Sequence, residues 1–117
     1  MKRILLDQNV PAGVRRILGE HQVSTAHELG WAQIENGRLL DQAERAGVEI
    51  LVTCDQNLSY QQIIPGRSIG VVVLSTNRWS AVRLQERQIV TAVLAVRPGT
   101  VLPVPIPQAA PRGRPDR

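Results

Sequence analysis

The sequence contains two apolar runs that each end in the tripeptide Asp-Gln-Asn. Residues 4–9 read Ile-Leu-Leu-Asp-Gln-Asn, and residues 50–57 read Ile-Leu-Val-Thr-Cys-Asp-Gln-Asn. Short runs of branched residues closed by polar ones are typical of strands buried in a parallel sheet. Ligands of open α/β sheets bind just beyond the carboxyl ends of such strands. If the two strands are neighbours, Asp7 and Asp55 lie at the same mouth of the sheet.

Strand-like and helix-like patterns alternate along the rest of the chain. This order predicts an α/β fold with a mainly parallel sheet of four to five strands, helices on both faces and right-handed crossovers. Proline lacks the N–H that a sheet ladder needs, so the proline-containing run near the end of the chain is predicted to be an edge strand. The predicted strands cover residues 3–6, 22–25, 48–53, 69–74 and 100–106.

Helix boundaries are predicted from capping residues and from apolar spacing. Asn9 can cap a helix that begins near Pro11, Asn36 can cap a second helix, and Ser80 can cap the last. A short helix is predicted from Asn57 or Ser59 onward. Apolar residues at helical spacing are expected on the inner faces of the second and last helices. These residues are Leu39, Leu40, Ala43 and Ala46 in the second helix, and Val82, Leu84, Ile89, Val90, Val93 and Leu94 in the last.

The length and composition favour one globular domain. The chain has 117 residues, of which 43% are apolar, and we predict a domain over residues 1–107. Residues 108–117 are rich in Pro, Arg, Gly and Ala and are predicted to be a disordered tail. Aromatic residues make up only 3% of the chain, which disfavours a binder that stacks bases on aromatic platforms. Trp31 and Trp79 are interpreted as core anchors.

The charge and the cysteine content constrain partners and compartment. The formal charge of +4 is a mild basic bias, compatible with RNA or DNA and equally with a solvated arginine-rich surface. A single cysteine, Cys54, permits no disulfide within the chain, which fits a reducing cytosol. No apolar run approaches the length of a membrane span, and the N-terminus lacks the pattern of a signal peptide. We therefore expect a soluble, cytoplasmic protein with no membrane association.

The two aspartates are the strongest candidates for a functional site. Two carboxylates at one sheet edge repel each other unless a cation lies between them, and neither strand end has an adjacent Lys or Arg. Carboxylate oxygens are the ligands that Mg²⁺ and Mn²⁺ prefer. Asp7 and Asp55 are therefore predicted to bind a metal, with capping of the following helices as the alternative. Glu28 is a third candidate ligand and equally a candidate solvated loop residue.

Several polar side chains near the predicted mouth are candidates for substrate contacts. Asn9 and Asn57 can bind waters or substrate, or cap helices, and Asn36 has the same two roles. Tyr60 and Gln61 follow Asp55 by about one helical turn and can line a substrate groove. Cys54 is interpreted as a small buried residue whose thiol pKa is raised by the neighbouring carboxylate.

Four segments of the chain resemble a known protein family. They are residues 5–11, 20–23, 36–40 and 51–58, and residues 57–62 followed by Gly66 and Arg67 are particularly similar. Together they resemble a small PIN-like domain family, a short branch filed as a domain of unknown function and related to toxin nucleases of the VapC type. The resemblance extends over roughly residues 1–96, in the same order, and does not include the tail.

The resemblance implies a PIN-like three-layer α/β/α sandwich and a metal-dependent endoribonuclease with Mg²⁺ or Mn²⁺. Asp7 and Asp55 match the acidic positions of the family. Many relatives are toxins paired with a small antitoxin, so the implied partners are RNA and a small antitoxin protein, and a homodimer stays open. The family often has an acid where this chain has Gln8 and Asn36. A non-catalytic PIN-like binding module with a degenerate acidic site is therefore the alternative.

Overall fold

A computed structural model describes residues 1–56 and 59–107 of the chain. This part of the chain alternates strands and helices in the predicted α/β order. The strands are β1 (Arg3–Leu6), β2 (Gln22–Thr25), β3 (Ile50–Thr53), β4 (Gly70–Leu74) and β5 (Val101–Val104). The helices are α1 (Val14–Ile17), α2 (Asn36–Arg45), α3 (Ser59–Ile63), α4 (Trp79–Val82) and α5 (Glu86–Ala95), and a 3₁₀ turn at Arg83–Gln85 separates the last two.

The five strands form one sheet in the order β2-β1-β3-β4-β5, and every pair is parallel. The prediction of a mainly parallel sheet of four to five strands is confirmed. β1 pairs with β3 in the register Ile4 to Ile50 and Leu6 to Val52, so the two Asp-Gln-Asn strands are neighbours. β5 lies at the edge as predicted, and its Pro103 is opposite Val73.

Both faces of the sheet are buried. Alternate side chains of a strand point to opposite faces, and those of the central strands belong to two different hydrophobic clusters. Ile4 and Val52 belong to a cluster with α1, α4 and α5, while Leu5 and Leu51 belong to a cluster with α2 and α3. Burial on both faces explains why these strands read as continuous apolar runs.

Two crossover connections pass over the face of the sheet that packs against α1 and α5, and they have opposite hands. Both α1 and α5 contribute to the same cluster, yet the chain moves from β1 to β2 in one direction across the sheet and from β4 to β5 in the other. Parallel crossovers that run in opposite directions over one face have opposite hands, so the expectation of right-handed crossovers throughout is wrong. The physical reason is burial: α1 has four residues, and α5 is needed to cover Val52, Val72 and Leu74.

The predicted helix boundaries need three corrections. Asn36 is the first residue of α2 and Glu35 occupies the N-cap, so the predicted Asn36 cap is wrong by one residue. The N-cap of α1 is Gly13, and no side chain caps it, so Asn9 does not have the predicted capping role. Ser80 lies inside α4, whose N-cap is Arg78.

Three apolar residues predicted to face inward are exposed instead. Leu84 is 66% exposed because it lies in the 3₁₀ turn that interrupts the last helix and resets its phase. In α5 the inner face is formed by Ile89, Ala92 and Val93, which leaves Leu94 60% exposed. Ala46 is exposed because α2 ends at Arg45.

Within residues 1–56 and 59–107, no helix has both the length and the apolar character that crossing a bilayer requires. The predicted tail at 108–117 and the candidate residue Asn57 lie outside the described part of the chain.

Substitution by alanine on the buried and on the exposed side of α5 should have very different effects on the free energy of unfolding. Ile89→Ala removes a fully buried side chain and should lower the free energy of unfolding by about 2–5 kcal/mol. Leu94→Ala, in the same helix, should change it by no more than about 0.5 kcal/mol because its side chain is exposed. Urea denaturation followed by circular dichroism measures both. Equal losses from the two variants would contradict the observed phase of α5.

Candidate functional site

The candidate site lies where the direction of chain progression across the sheet reverses. From β1 the chain continues to β2 on one side, and from β3 it continues to β4 on the other. In open parallel sheets, the carboxyl ends of two strands at such a point flank a crevice that binds ligands. Asp7 directly follows β1 and Asp55 lies two residues beyond β3, so both predicted aspartates are at this crevice.

Thr53 connects the two aspartates. Its fully buried hydroxyl donates to Asp7 Oδ2 at 2.8 Å, and its Oγ1 accepts the Asp55 backbone N–H at 3.0 Å. The ladder between β1 and β3 continues to this point, since the Asp7 N–H donates to the Val52 carbonyl at 2.9 Å. Thr53 therefore orients the Asp7 carboxylate and fixes the backbone that carries Asp55.

Asn9 joins the ends of the same two strands. Its Oδ1 accepts the Cys54 backbone N–H at 3.0 Å, and its side chain is half-buried. The Gln8 N–H donates to Asp7 Oδ1 at 2.8 Å. Each oxygen of the Asp7 carboxylate thus accepts one hydrogen bond, which leaves each with a further lone pair for a ligand.

The aspartates line a cavity of about 490 Å³. Residues 32–35, which precede α2, and the first two residues of α2 form a second wall, and this wall brings Glu35 and Asn36 to the cavity. Glu35, the N-cap residue of α2, thereby contributes a third carboxylate to the lining of the cavity. The lining residues are Asp7, Gln8, Asn9, Ala32, Gln33, Ile34, Glu35, Asn36, Gly37 and Asp55.

Glu28 is not among the residues that line this cavity. Its carboxylate pairs with Arg15 at 2.7 Å and accepts the Thr25 backbone N–H at 3.0 Å. These hydrogen bonds, first the one from Arg15, lower the pKa of Glu28. Arg15 also donates to the Val23 carbonyl at 2.9 Å, so the pair occupies backbone groups of the edge strand β2. These contacts give Glu28 a role at the edge of the sheet.

Tyr60 is not among the residues that line this cavity, and it lines a smaller one together with Gln61 and Asp55. It is 1% exposed, and its hydroxyl donates to Asn36 Oδ1 at 3.2 Å, which ties α3 to the first residue of α2. Burial, and then the charges of Asp7 and Asp55, raise the pKa of Tyr60, so the phenol is neutral at physiological pH. Gln61 is exposed and does not line the main cavity. It lines a smaller cavity of about 120 Å³, to which Asp55 also contributes.

Two site residues were missed in the sequence because their roles depend on neighbouring strands. Thr53 reads as the last residue of an apolar run, and only the pairing of β1 with β3 brings its hydroxyl to Asp7. Gln56 reads in the sequence as a polar residue after the apolar run. Its side-chain amide donates to the Leu74 carbonyl at 2.6 Å and to the Cys54 carbonyl at 3.0 Å, which connects the segment after β3 to the end of β4.

The donor set suits a cation that needs few protein ligands. Within residues 1–56 and 59–107, no three His, Cys, Asp or Glu side chains are grouped closely enough to hold a metal between them. Mg²⁺ is held in many proteins by only one or two carboxylates and retains several waters. Asp7 and Asp55, with the amide oxygens that share the cavity, meet that requirement.

Comparison of the chain with protein families, with curated proteins and with solved structures finds no match in any of the three. The interpretation of the site therefore depends on its geometry and chemistry.

Removing the Thr53 hydroxyl tests its connecting role. Thr53→Val keeps the shape of the side chain but leaves Asp7 Oδ2 and the Asp55 N–H without this partner. We expect the free energy of unfolding, measured by urea denaturation, to fall by about 1–3 kcal/mol. Thr53→Ser should restore most of it, and the exposed Thr91→Val should change it by less than about 0.5 kcal/mol. A Thr53→Val protein as stable as the parent would contradict this role.

The Cys54 thiol reports the charge of Asp7 in the metal-free protein. Burial, and then the Asp7 carboxylate, raise the pKa of Cys54 to about 11. Because the thiolate is the reactive form, alkylation by iodoacetamide in EDTA should be slow at pH 8 and should accelerate as the pH rises toward that value. Asp7→Asn should move the inflection to lower pH, whereas Asp41→Asn, remote from the cavity, should not. An unchanged inflection in Asp7→Asn would contradict the proximity of the two groups.

Proposed function

We propose that the protein is a metal-dependent endoribonuclease with a PIN-like three-layer fold, and that Asp7 and Asp55 hold Mg²⁺ or Mn²⁺. The observation that supports this most strongly is that the two carboxylates line one polar cavity at the reversal point of a parallel sheet. The resemblance of residues 1–96 to PIN-like toxin nucleases adds to the proposal. In this proposal the substrate is RNA, the protein partner is a small antitoxin, and the site of action is the cytoplasm.

The negative charges of Asp7 and Asp55 explain why the proposed reaction needs a metal ion. A phosphodiester is repelled by two carboxylates, so substrate binding at this mouth requires a cation. When bound, such an ion lowers the pKa of a coordinated water and stabilises the charge that develops on the phosphate. Thr53 holds Asp7 in one orientation, and Asn9 holds the end of β3 against the segment after β1. In this proposal Gln33 and Asn36, which line the same cavity, contact ribose and phosphate groups of the substrate.

A second candidate function is a non-catalytic binding module. Gln8 and Asn36 line the cavity at positions where the resembling family often has acids. Two amides in place of acids lower the negative charge of the site and therefore its affinity for a divalent ion. Glu35, adjacent to Asn36, provides a carboxylate at the same wall and favours the nuclease.

Ribonuclease activity is tested by replacing each aspartate with its neutral isostere. Asp7→Asn and Asp55→Asn should each lower the rate of cleavage of a single-stranded RNA in Mn²⁺ by about 100-fold or more, the order of effect seen when a group that stabilises transition-state charge is removed. Asp41→Asn is the matched control because Asp41 pairs with Arg67 away from the cavity. Its rate should equal that of the parent. Cleavage that survives both site substitutions would exclude this site as the origin of activity.

Calorimetric titration with Mn²⁺ separates the two candidate functions. The nuclease predicts one Mn²⁺ site that is lost in Asp7→Asn and retained in Asp41→Asn. The binding module predicts no cleavage by any variant and no Mn²⁺ site that depends on Asp7.

A further inference from the structure

Trp79 is an exposed aromatic side chain at the same end of the sheet as the cavity. All three aromatic residues of the chain lie in the described part, where Tyr60 is buried, Trp31 is half-buried and Trp79 is 39% exposed. Trp79 belongs to neither hydrophobic cluster of the described residues, so its interpretation as a core anchor is wrong. A single exposed aromatic side chain is common on protein surfaces, so a role for Trp79 must be argued from how the ring is held and from what lies near it.

The indole is nevertheless held in place, by Gly13. A Cβ built on Gly13 would lie within 3.0 Å of three consecutive carbons of the six-membered ring, Cζ2, Cη2 and Cζ3. Similar distances to three adjacent ring atoms mean that the Gly13 backbone lies over the face of the ring. The ring face toward Gly13 is therefore covered, while the side chain as a whole is 39% exposed. Gly13 has right-handed helical angles (φ −64°, ψ −19°), so the close approach, and not the backbone conformation, requires glycine.

Chain connections place this ring at the same end of the sheet as the two aspartates. Gly13 is six residues after Asp7, and an extended chain of that length spans at most about 20 Å. Trp79 follows the loop after β4, and that loop contacts the end of β3, since the Cys54 thiol donates to the Thr76 carbonyl at 3.4 Å. The indole and the acidic cavity thus share the carboxyl end of the sheet.

The elements that meet at the ring carry basic side chains. Arg16 lies in α1 and Arg78 directly precedes Trp79, and both are exposed. Among the described residues, neither forms an ion pair, whereas Arg15 and Arg67 do. An exposed aromatic ring on elements that carry exposed arginines without ion pairs among the described residues has the residue types that bind single-stranded nucleic acid, by base stacking and phosphate contacts.

We propose that Trp79, supported by Gly13 and flanked by Arg78, stacks against a base of a single-stranded nucleic acid whose backbone continues to the cavity at Asp7 and Asp55. This inference rests on the proposed function and specifies how the substrate is held. It also explains how a chain with three aromatic residues can bind bases: one exposed ring serves as the platform.

The test is binding measured separately from cleavage. A fluorescein-labelled oligouridylate of eight residues is titrated with full-length protein in Ca²⁺ in place of Mg²⁺ or Mn²⁺, so that a divalent cation still offsets the charge of the two carboxylates. Anisotropy reports the affinity, and gel electrophoresis of the same samples checks that the strand stays intact. Trp79→Leu should weaken binding about 5- to 100-fold, the fold-change that corresponds to one base stacked on an aromatic ring. Trp79→Phe should retain most of the affinity. Trp31→Phe, which alters the other, half-buried tryptophan, should bind as tightly as the parent.

Gly13→Ala provides a second variant that keeps the tryptophan. Its Cβ would displace the indole without straining the backbone, so it should weaken binding while circular dichroism and the unfolding midpoint stay close to those of the parent. Arg78→Ala should reduce the slope of log affinity against log salt concentration by about 0.7, the change expected for one lost phosphate contact to a single strand.

The outcomes for the platform and for the nuclease are distinct. Parent-like affinity in both Trp79→Leu and Gly13→Ala, or no binding by the parent, overturns the platform. If Asp7-dependent cleavage persists in that case, the proposed function stands without it. Binding that depends on Trp79, in a protein that does not cleave RNA in Mn²⁺, supports the platform and removes the nuclease. Self-association that is lost in Trp79→Leu with unchanged oligonucleotide affinity would assign this surface to a second copy of the chain, and would overturn the platform as well.

Discussion

The hydrogen bonds of the Thr53 hydroxyl determine the geometry of the candidate site. At 0% exposure this group accepts the Asp55 N–H and donates to the Asp7 carboxylate, and a buried hydroxyl without partners would be costly. The arrangement is available only because β1 and β3 are paired neighbours that end at the same level. Parallel pairing, burial of both sheet faces and the position of the two carboxylates are therefore linked features of one structure.

The crevice has an asymmetric construction. Its floor is formed by the strand ends that Thr53 and Asn9 join, while residues 32–37, which include the start of α2, form a second wall. The Tyr60 hydroxyl bond to Asn36 anchors that wall from the buried side. Acidic groups from the floor and the wall thus face a shared polar space. Beyond the floor, the loop after β4 brings Trp79 and basic residues to the same end of the sheet.

The strands could be predicted well from the sequence, because burial on both faces of the sheet requires continuous apolar runs that are easily recognised. β1 and β2 were predicted to the residue, and the apolar runs of β3 and β4 to within two residues. The inner face of the last helix was partly mispredicted, since the 3₁₀ turn at Arg83–Gln85 shifts the helical phase and no single residue announces it. The opposed crossover hands could not be predicted, because they depend on how much of a face a four-residue α1 leaves uncovered.

The same distinction holds for the site. Asp7 and Asp55 were identifiable because each follows an apolar run, whereas Thr53, Gln56 and Glu35 acquire their roles from neighbours distant in sequence. Glu28 was chosen by its place in a loop, and the structure pairs it with Arg15.

The central claim is that two strand-end aspartates form one cation site. The most direct measurement is an anomalous difference map from crystals soaked in Mn²⁺. We expect one anomalous peak in the cavity, adjacent to the carboxylates of both Asp7 and Asp55. A map with no peak there, or with Mn²⁺ bound at other carboxylates while this cavity contains only water, would contradict it.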